Sequence, residues 1–308
     1  MNKYKIITAA NDDYILTLLN FLNHHTSIGI FFEDIVIYDL GLNNDNLQKI
    51  NMVSSNRCEI KKLNYDEYSE YVNLTKYNGL NCSYAFKPII IYREANLNKT
   101  VPLIWLDSAC NLNMESFQNI YNTIMKEGFY CPIGNSEKTI ESIELNHPQT
   151  VKLIGLTKEE HLNSLQSRLA CMCGVLYSNT NGFHILNEWH RYSLIKDVIF
   201  PDGSSRNNHR QDQSVLSCLM YLYEKNNKII FEKSTFGASC WNKKDKNNIE
   251  KSYKKYVLVQ KYNNQILAAI YTNSIEEAVK IYYDRKKYVF DETYTLEHFL
   301  QGYSVFEM

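Results

Sequence analysis

Apolar and polar positions change period repeatedly along the first hundred residues, and each change marks an element. Lys5-Ile6-Ile7-Thr8-Ala9-Ala10 is a short apolar run that closes on small residues, and Asp34-Ile35-Val36-Ile37-Tyr38-Asp39 is a second. Unbroken runs of this length fit strands buried on both faces. Between them Ile15, Leu18, Leu19 and Leu22 fall at helical spacing, which predicts a helix over 13–23 capped by Asp12 or Asp13. Gly41 precedes a polar helix over 44–52, and residues 59–63 read as a third strand. A helix over 86–95 carries Pro88 in its first turn, where the missing N–H costs nothing. Residues 101–107 form a fourth, strongly apolar strand. Strand and helix alternate, so the pattern predicts an α/β fold: a mostly parallel sheet with helices on both faces.

The second half is more mixed. It predicts a helix over 115–127, a buried strand over 170–177, a helix over 183–194, a polar loop over 197–209 and an amphipathic helix over 213–223. Residues 243–255 are charged and poor in apolar side chains, which predicts a linker. Beyond it, strands at 256–259 and 266–271 and a helix over 275–283 suggest a small β-β-α appendage spanning 256–308.

A chain of 308 residues is long enough for one large α/β domain or two packed halves. A net charge of -1 disfavours a broadly basic nucleic-acid surface, so no nucleic-acid partner is expected. Tyr, at 24 residues, suits stacking on bases and sugars, but the abundance of Lys, Asn, Ile and Tyr also follows from AT-rich coding, so the count alone assigns nothing. No apolar run approaches a membrane span, and no signal-peptide pattern follows Met1. The eight cysteines form no C-x-x-C pair and read as buried free thiols, which points to a reducing, cytoplasmic location.

In an open parallel sheet, ligands bind beyond the carboxyl ends of the strands, where strand order reverses. Three predicted strand ends are polar there: Thr8-Ala9-Ala10-Asn11, Tyr38-Asp39 and Asp107-Ser108. Small residues let a flat base approach the backbone. Tyr14, just beyond, offers a ring to stack on it or simply covers a helix surface. Asp107 closes a buried strand and needs a cation or hydrogen-bond donors. A divalent ion bridging two phosphates takes such an oxygen, and capping the next segment is the alternative. The adjacent His24 and His25 lack the spacing of a helical metal pair, and Trp189 reads as a core residue.

These segments carry a resemblance. Leu103-Ile104-Trp105-Leu106-Asp107-Ser108-Ala109 resembles the DxD-bearing strand of GT-A-fold nucleotide-sugar glycosyltransferases. Ala9-Ala10-Asn11-Asp12-Asp13-Tyr14 looks like their opening nucleotide-binding strand and turn, most closely in retaining family 8. Lys87 in Ala85-Phe86-Lys87-Pro88 is similar to the lysine preceding the DxD strand, and His209-Arg210-Gln211-Asp212-Gln213-Ser214 resembles their late Asp-Gln helix start. The pattern spans residues 4–240.

The resemblance implies a GT-A-like domain over 1–245, with a nucleotide-binding half at 1–110 and an acceptor half at 111–245. It implies transfer of a sugar from a nucleotide-diphosphate donor, expected to be a UDP-sugar, to a hydroxyl of a glycan or other acceptor. Thr8, Ala9, Ala10, Asn11, Tyr14, Asp39, Lys87, Asp107 and Ser108 would contact the nucleotide. A divalent cation, Mn2+ or Mg2+, is expected, but Ala109 replaces the second DxD aspartate. The ion would then lean on Asp107, His209, phosphates and water. Alternatively Lys87, Arg206 and Arg210 neutralise the diphosphate without a metal. Asp212 would be the general base of an inverting reaction, or would position the sugar and stabilise the transition state of a retaining one. A catalytically weak nucleotide-sugar or glycan binding protein is the alternative function. The appendage would serve acceptor binding or homo-oligomer assembly.

Overall fold

The computed structural model describes residues 3–73, 83–134, 145–240, 254–261, 265–272, 275–276, 279–280, 283 and 295–307. The apolar runs become strands where the pattern places them. β1 (Lys5–Ala10) leads through α1 (Ile15–Ser27) to β2 (Ile35–Asp39), and then through α2 (Asn44–Ser54) to β3 (Glu59–Lys62). Next come α3 (Phe86–Leu97), β4 (Leu103–Leu106), β5 (Cys110–Asn111), α4 (Met114–Glu127) and β6 (Phe129–Tyr130). α5 (Pro148–Ile154), α6 (Lys158–Asn163) and β7 (Met172–Val175) precede α7 (Thr180–Ser193), α8 (Lys196–Ile199), α9 (Asp212–Asn227) and β8 (Ser239–Cys240). β5, β6, α5, α6 and α8 were not expected from the pattern, being too short for a period to register.

One six-stranded sheet carries the fold, in the order β3-β2-β1-β4-β7-β6. β1 to β4 pair in parallel, whereas β7 runs antiparallel to both β4 and β6. Side chains alternate between two cores, as the pleat requires. Ile7, Val36, Leu103 and Trp105 pack with Ile90 of α3, Trp189 of α7 and Leu216 of α9. Ile6, Ile35, Ile37 and Ile104 pack with Leu18 and Phe21 of α1 and Ile124 of α4. Helices therefore cover both faces. Gly174 in β7 makes this close fit possible, because a Cβ there would lie 2.1 Å from Ile124 Cδ1.

From β1 the chain moves outward through β2 and β3, then returns to place β4 on the other side of β1. That reversal puts the switch point between the carboxyl ends of β1 and β4, the two ends with the strongest candidate residues.

Several expectations need correction. Asp12 and Asp13 do not cap α1; they begin a single 3-10 turn ahead of it. The Asp12 carboxylate instead accepts from the backbone N–H of Asn43 at 2.8 Å and from Asn46 Nδ2 at 2.9 Å, holding the start of α2. The cysteines are not all free thiols. Cys58, Cys131, Cys171, Cys173 and Cys218 are free, but Cys110 is disulfide-bonded, and the backbone register sets it opposite Cys240. Most of the expected linker at 243–255 lies outside the described residues; its last two, Lys254 and Lys255, begin β9 (Lys254–Gln260). β10 (Gln265–Thr272), α10 (Leu296–Gly302) and β11 (Tyr303–Glu307) follow, and the three strands form a separate antiparallel sheet, β10-β9-β11. Of the helix expected over 275–283, residues 275, 276, 279, 280 and 283 are described, and all five are helical. Among the described residues, no helix is long and apolar enough to cross a membrane.

Candidate functional site

A cavity of about 290 Å³ opens at the switch point. One wall is made by the ends of the two central strands. Ala9 and Ala10 end β1 and Asn11 follows it, with Tyr14 just beyond, and Asp107, Ser108 and Ala109 follow β4. The other wall comes from residues distant in sequence: Tyr84 and Lys87 at the start of α3, and Arg206, Arg210, Gln211, Asp212 and Gln213 at the start of α9.

Asp107 is fixed locally. Trp105, two residues back on the same face of β4, donates its indole N–H to Asp107 Oδ1 at 2.7 Å. The neighbouring Ser108 hydroxyl pairs with Thr17 Oγ1 of α1 at 3.2 Å.

Lys87 joins the two walls. Its buried ammonium lies 3.0 Å from Asp107 Oδ1 and 3.1 Å from Asp212 Oδ2, and donates to the Ala170 carbonyl at 3.1 Å. Burial alone would pull its pKa down, but Asp107 and Asp212 outweigh it and hold the pKa above the usual lysine value. Burial raises the pKa of Asp212, against the pull of Lys87. The cluster therefore keeps a charged lysine between two carboxylates, one of which binds a proton more readily than an exposed aspartate would.

Two polar atoms in the cavity lining are buried without a hydrogen-bond partner: Asn11 Oδ1 and Gln211 Nε2. Asp212 Oδ2 is equally buried, with the Lys87 ammonium 3.1 Å away as its partner. A buried polar group left unpaired costs about 1–3 kcal/mol. A ligand with N–H groups and acceptor oxygens would recover that cost at both.

The α9 side of the cavity is also strained. Gln211, the residue before α9, has φ 43° and ψ -111°, a conformation costing on the order of 1–3 kcal/mol for a side chain with a Cβ. Its neighbours are pinned. The Arg210 N–H donates to the Leu145 carbonyl at 3.0 Å, and Trp189 donates its indole N–H to the Asp212 carbonyl at 3.0 Å from the core. Tyr84, at φ 52°, accepts from Arg206 Nη1 at 2.7 Å.

Of the residues singled out from sequence, Ala9, Ala10, Asn11, Tyr14, Lys87, Asp107, Ser108, Arg206, Arg210 and Asp212 meet at this cavity. Three do not. Thr8 is fully buried within β1, before the strand reaches the cavity. Asp39 turns its carboxylate onto its own chain, accepting from the Gly41 N–H at 2.8 Å and the Leu42 N–H at 2.6 Å, a local aspartate turn. His209 is buried away from the cavity. Its Nε2 donates to the Ile199 carbonyl at 3.1 Å, and its Nδ1 accepts from the His147 N–H at 3.3 Å. Burial pushes its pKa down to about 3, so it stays neutral. Tyr84 and Gln211 were missed. The polar crowding around Arg210 was the only sequence signal for Gln211, and Tyr84 had none.

For a resident divalent ion, Asp107 and His209 offer at most one side-chain oxygen, Asp107 Oδ2, too few to hold it without phosphates and water. Asp107 Oδ1 already holds Lys87 and Trp105, Ala109 supplies no side-chain oxygen, and both ring nitrogens of His209 are engaged elsewhere. Among the described residues, no group of three or more His, Cys, Asp or Glu side chains is placed to hold a metal.

No protein-family profile matches the chain, and no curated protein sequence does. Solved structures with a similar chain path are glycosyltransferases. The galactosyltransferase LgtC, in complex with donor and acceptor sugar analogs, matches at 14% identity and a TM-score of 0.39, over 70% of each chain. The S. cerevisiae mannosyltransferase Ktr4p, in complex with GDP, matches at 11% identity and a TM-score of 0.48, over 74% of this chain and 68% of its own. Mouse xyloside xylosyltransferase 1 matches at 8% identity and a TM-score of 0.40, over 72% of this chain and 82% of its own. Likeness at this level assigns no residue and no substrate, and family 8 remains a resemblance of motifs.

Proposed function

We propose that the chain is a glycosyltransferase that moves a sugar from a nucleotide-diphosphate donor, a UDP-sugar, to a hydroxyl of a glycan or other acceptor. The observation that carries this reading is the cavity at the β1–β4 switch point, where Lys87 bridges Asp107 and Asp212 beside unpaired polar atoms. The base lies over Ala9 and Ala10, stacks on Tyr14 and gives a ring N–H to Asn11 Oδ1. Arg206 and Arg210, on the opposite wall, face the diphosphate and stabilise its charge as the glycosidic bond breaks. Asp212 accepts a hydrogen bond from the sugar and presents negative charge to the oxocarbenium-like transition state. Lys87 keeps Asp107 and Asp212 in register and limits their mutual repulsion. No step is routed through a divalent ion, because these side chains offer too few oxygens to hold one without phosphates and water.

The appendage at 256–308 is assigned to acceptor binding or homo-oligomer assembly. Truncation after Lys255 should leave nucleotide binding intact. A cytoplasmic location belongs to the same reading, and the Cys110 disulfide weighs against it, since cytosolic thiols are mostly kept reduced.

The decisive experiment incubates the protein with a panel of nucleotide-sugars and measures released nucleotide, with Mn2+ and with EDTA. Release from a UDP-sugar in EDTA is the expected result. Binding without turnover would favour the alternative, a nucleotide-sugar binding protein in which Ala109 has weakened catalysis. No binding of UDP or GDP would overturn both.

A further inference from the structure

Gln211 is held at φ 43° and ψ -111°, yet the residue is only 1% exposed and its amide nitrogen has no partner among the described residues. A glycine at this position would adopt the same backbone without strain. The chain instead keeps a side chain there, and an amide buried unpaired is a second cost at the same residue. The segment cannot relax on its own. The Arg210 N–H is bound to the Leu145 carbonyl and the Asp212 carbonyl to Trp189, while Ser214 Oγ donates to the Leu145 carbonyl at 2.7 Å. Two costs held in place by the surrounding structure, in the lining of a polar cavity, mark a group kept for a ligand.

Resting on the glycosyl-donor reading, we propose that Gln211 selects the transferred sugar: its amide N–H donates to one sugar hydroxyl while Asp212 Oδ2 accepts from another. Gln211 supplies an unpaired donor and Asp212 an acceptor that it shares with Lys87, and both residues line one cavity. A sugar diol offers the complementary acceptor and donor. The base is placed on the other wall and the diphosphate at Arg206 and Arg210, so Gln211 separates one UDP-sugar from another with little effect on UDP itself.

The test is calorimetry with UDP, UDP-glucose, UDP-galactose, UDP-N-acetylglucosamine and GDP-mannose, first on the wild type and then on variants. Gln211→Gly should raise the Kd for the sugar nucleotide that the wild type prefers by about tenfold, the effect of one lost hydrogen bond to a buried partner. Its Kd for UDP should stay within about twofold, and its melting temperature should rise as the strain is released. Gln211→Asn, which keeps an amide and tolerates positive φ, serves if the glycine variant fails to fold; it should weaken the sugar nucleotide and spare UDP. Unchanged sugar-nucleotide affinity in either variant overturns the proposal, and so does a loss of UDP affinity in step. A wild type that binds no nucleotide overturns the glycosyl-donor reading, and this proposal with it, before any variant is made.

Discussion

The wall of the cavity formed by β1 and β4 differs from the wall formed by residues 84–87 and 206–213 in how it is held. The first is an end of regular sheet, and its key side chain is tied by a near neighbour, Trp105 to Asp107 at 2.7 Å. The second holds two residues at positive φ, Tyr84 and Gln211, and a buried amide nitrogen without a partner, Gln211 Nε2. The fold itself supplies the first wall. The second is stabilised from elsewhere, by Trp189 in the core and by the Leu145 carbonyl, and the strain is concentrated there. Lys87 is the only side chain described here that forms ion pairs with carboxylates of both walls.

The largest effect is therefore expected at Lys87. Lys87→Met should destabilise the fold by about 3–5 kcal/mol in urea unfolding, because it leaves buried carboxylate charge uncompensated. Adding Asp212→Asn should recover part of that loss. A cost below about 1 kcal/mol would mean that the walls hold independently.

Asp107→Asn should lower turnover by about 10²-fold while leaving circular dichroism unchanged, because Lys87 would then pair with Asp212 alone and mask the charge it presents to the transition state, a loss on the scale of one electrostatic contact. Asp212→Ala should reduce transfer more than UDP binding, because its role lies at the sugar. Should UDP affinity fall in step with turnover, Asp212 serves the whole second wall and not the sugar.

Acid sharpens the comparison, since each side of the molecule has a buried neutral histidine behind it. His25 in α1 has its pKa pushed down by burial to about 4, and His209 to about 3. In the unfolded chain both take up a proton near 6.5. Their contribution is thus complete above pH 6.5 and is lost as pH falls toward the folded values, by about 1.4 kcal/mol per pH unit for each. His209→Gln should reduce the slope of urea-melt stability between pH 6 and 4 by up to about 1.4 kcal/mol per pH unit. An unchanged slope would show that the second wall opens to water before the fold is lost.

The smallest effect is expected at Arg206, whose guanidinium faces the cavity from the second wall. Arg206→Gln should weaken UDP by about fivefold in calorimetry, less so at high salt, and change stability by about 0.5 kcal/mol or less. An equal loss for uridine, which has no phosphate, would place Arg206 at the nucleoside.

Much of this was legible because it is local. Apolar runs at 5–10, 34–39 and 101–107 and the helical spacing of Ile15, Leu18 and Leu22 are properties of neighbouring residues, and they determined the β-α alternation. Small residues at the end of β1 and a carboxylate after β4 marked the edge where the cavity opens, since the ends of parallel strands in such a sheet face one side. The short elements β5, β6 and α8 were not legible, because two to four residues hold no period.

Only the tertiary structure decided which polar residues meet. The chain places Lys87, Asp107 and Asp212 far apart, and their assembly depends on α3 and α9 both packing on the same face of the sheet as Trp105. Asp39 and Asp107 both stand at strand ends, but one closes a turn on its own backbone while the other opens into the cavity. His209 and Asp212 are three residues apart in the same polar stretch, yet one is locked into the interior and the other lines the site. The chain turns between them at Gln211, and a single positive φ redirects every side chain that follows. That dihedral is imposed by contacts from Leu145 and Trp189, which no local reading of the stretch contains.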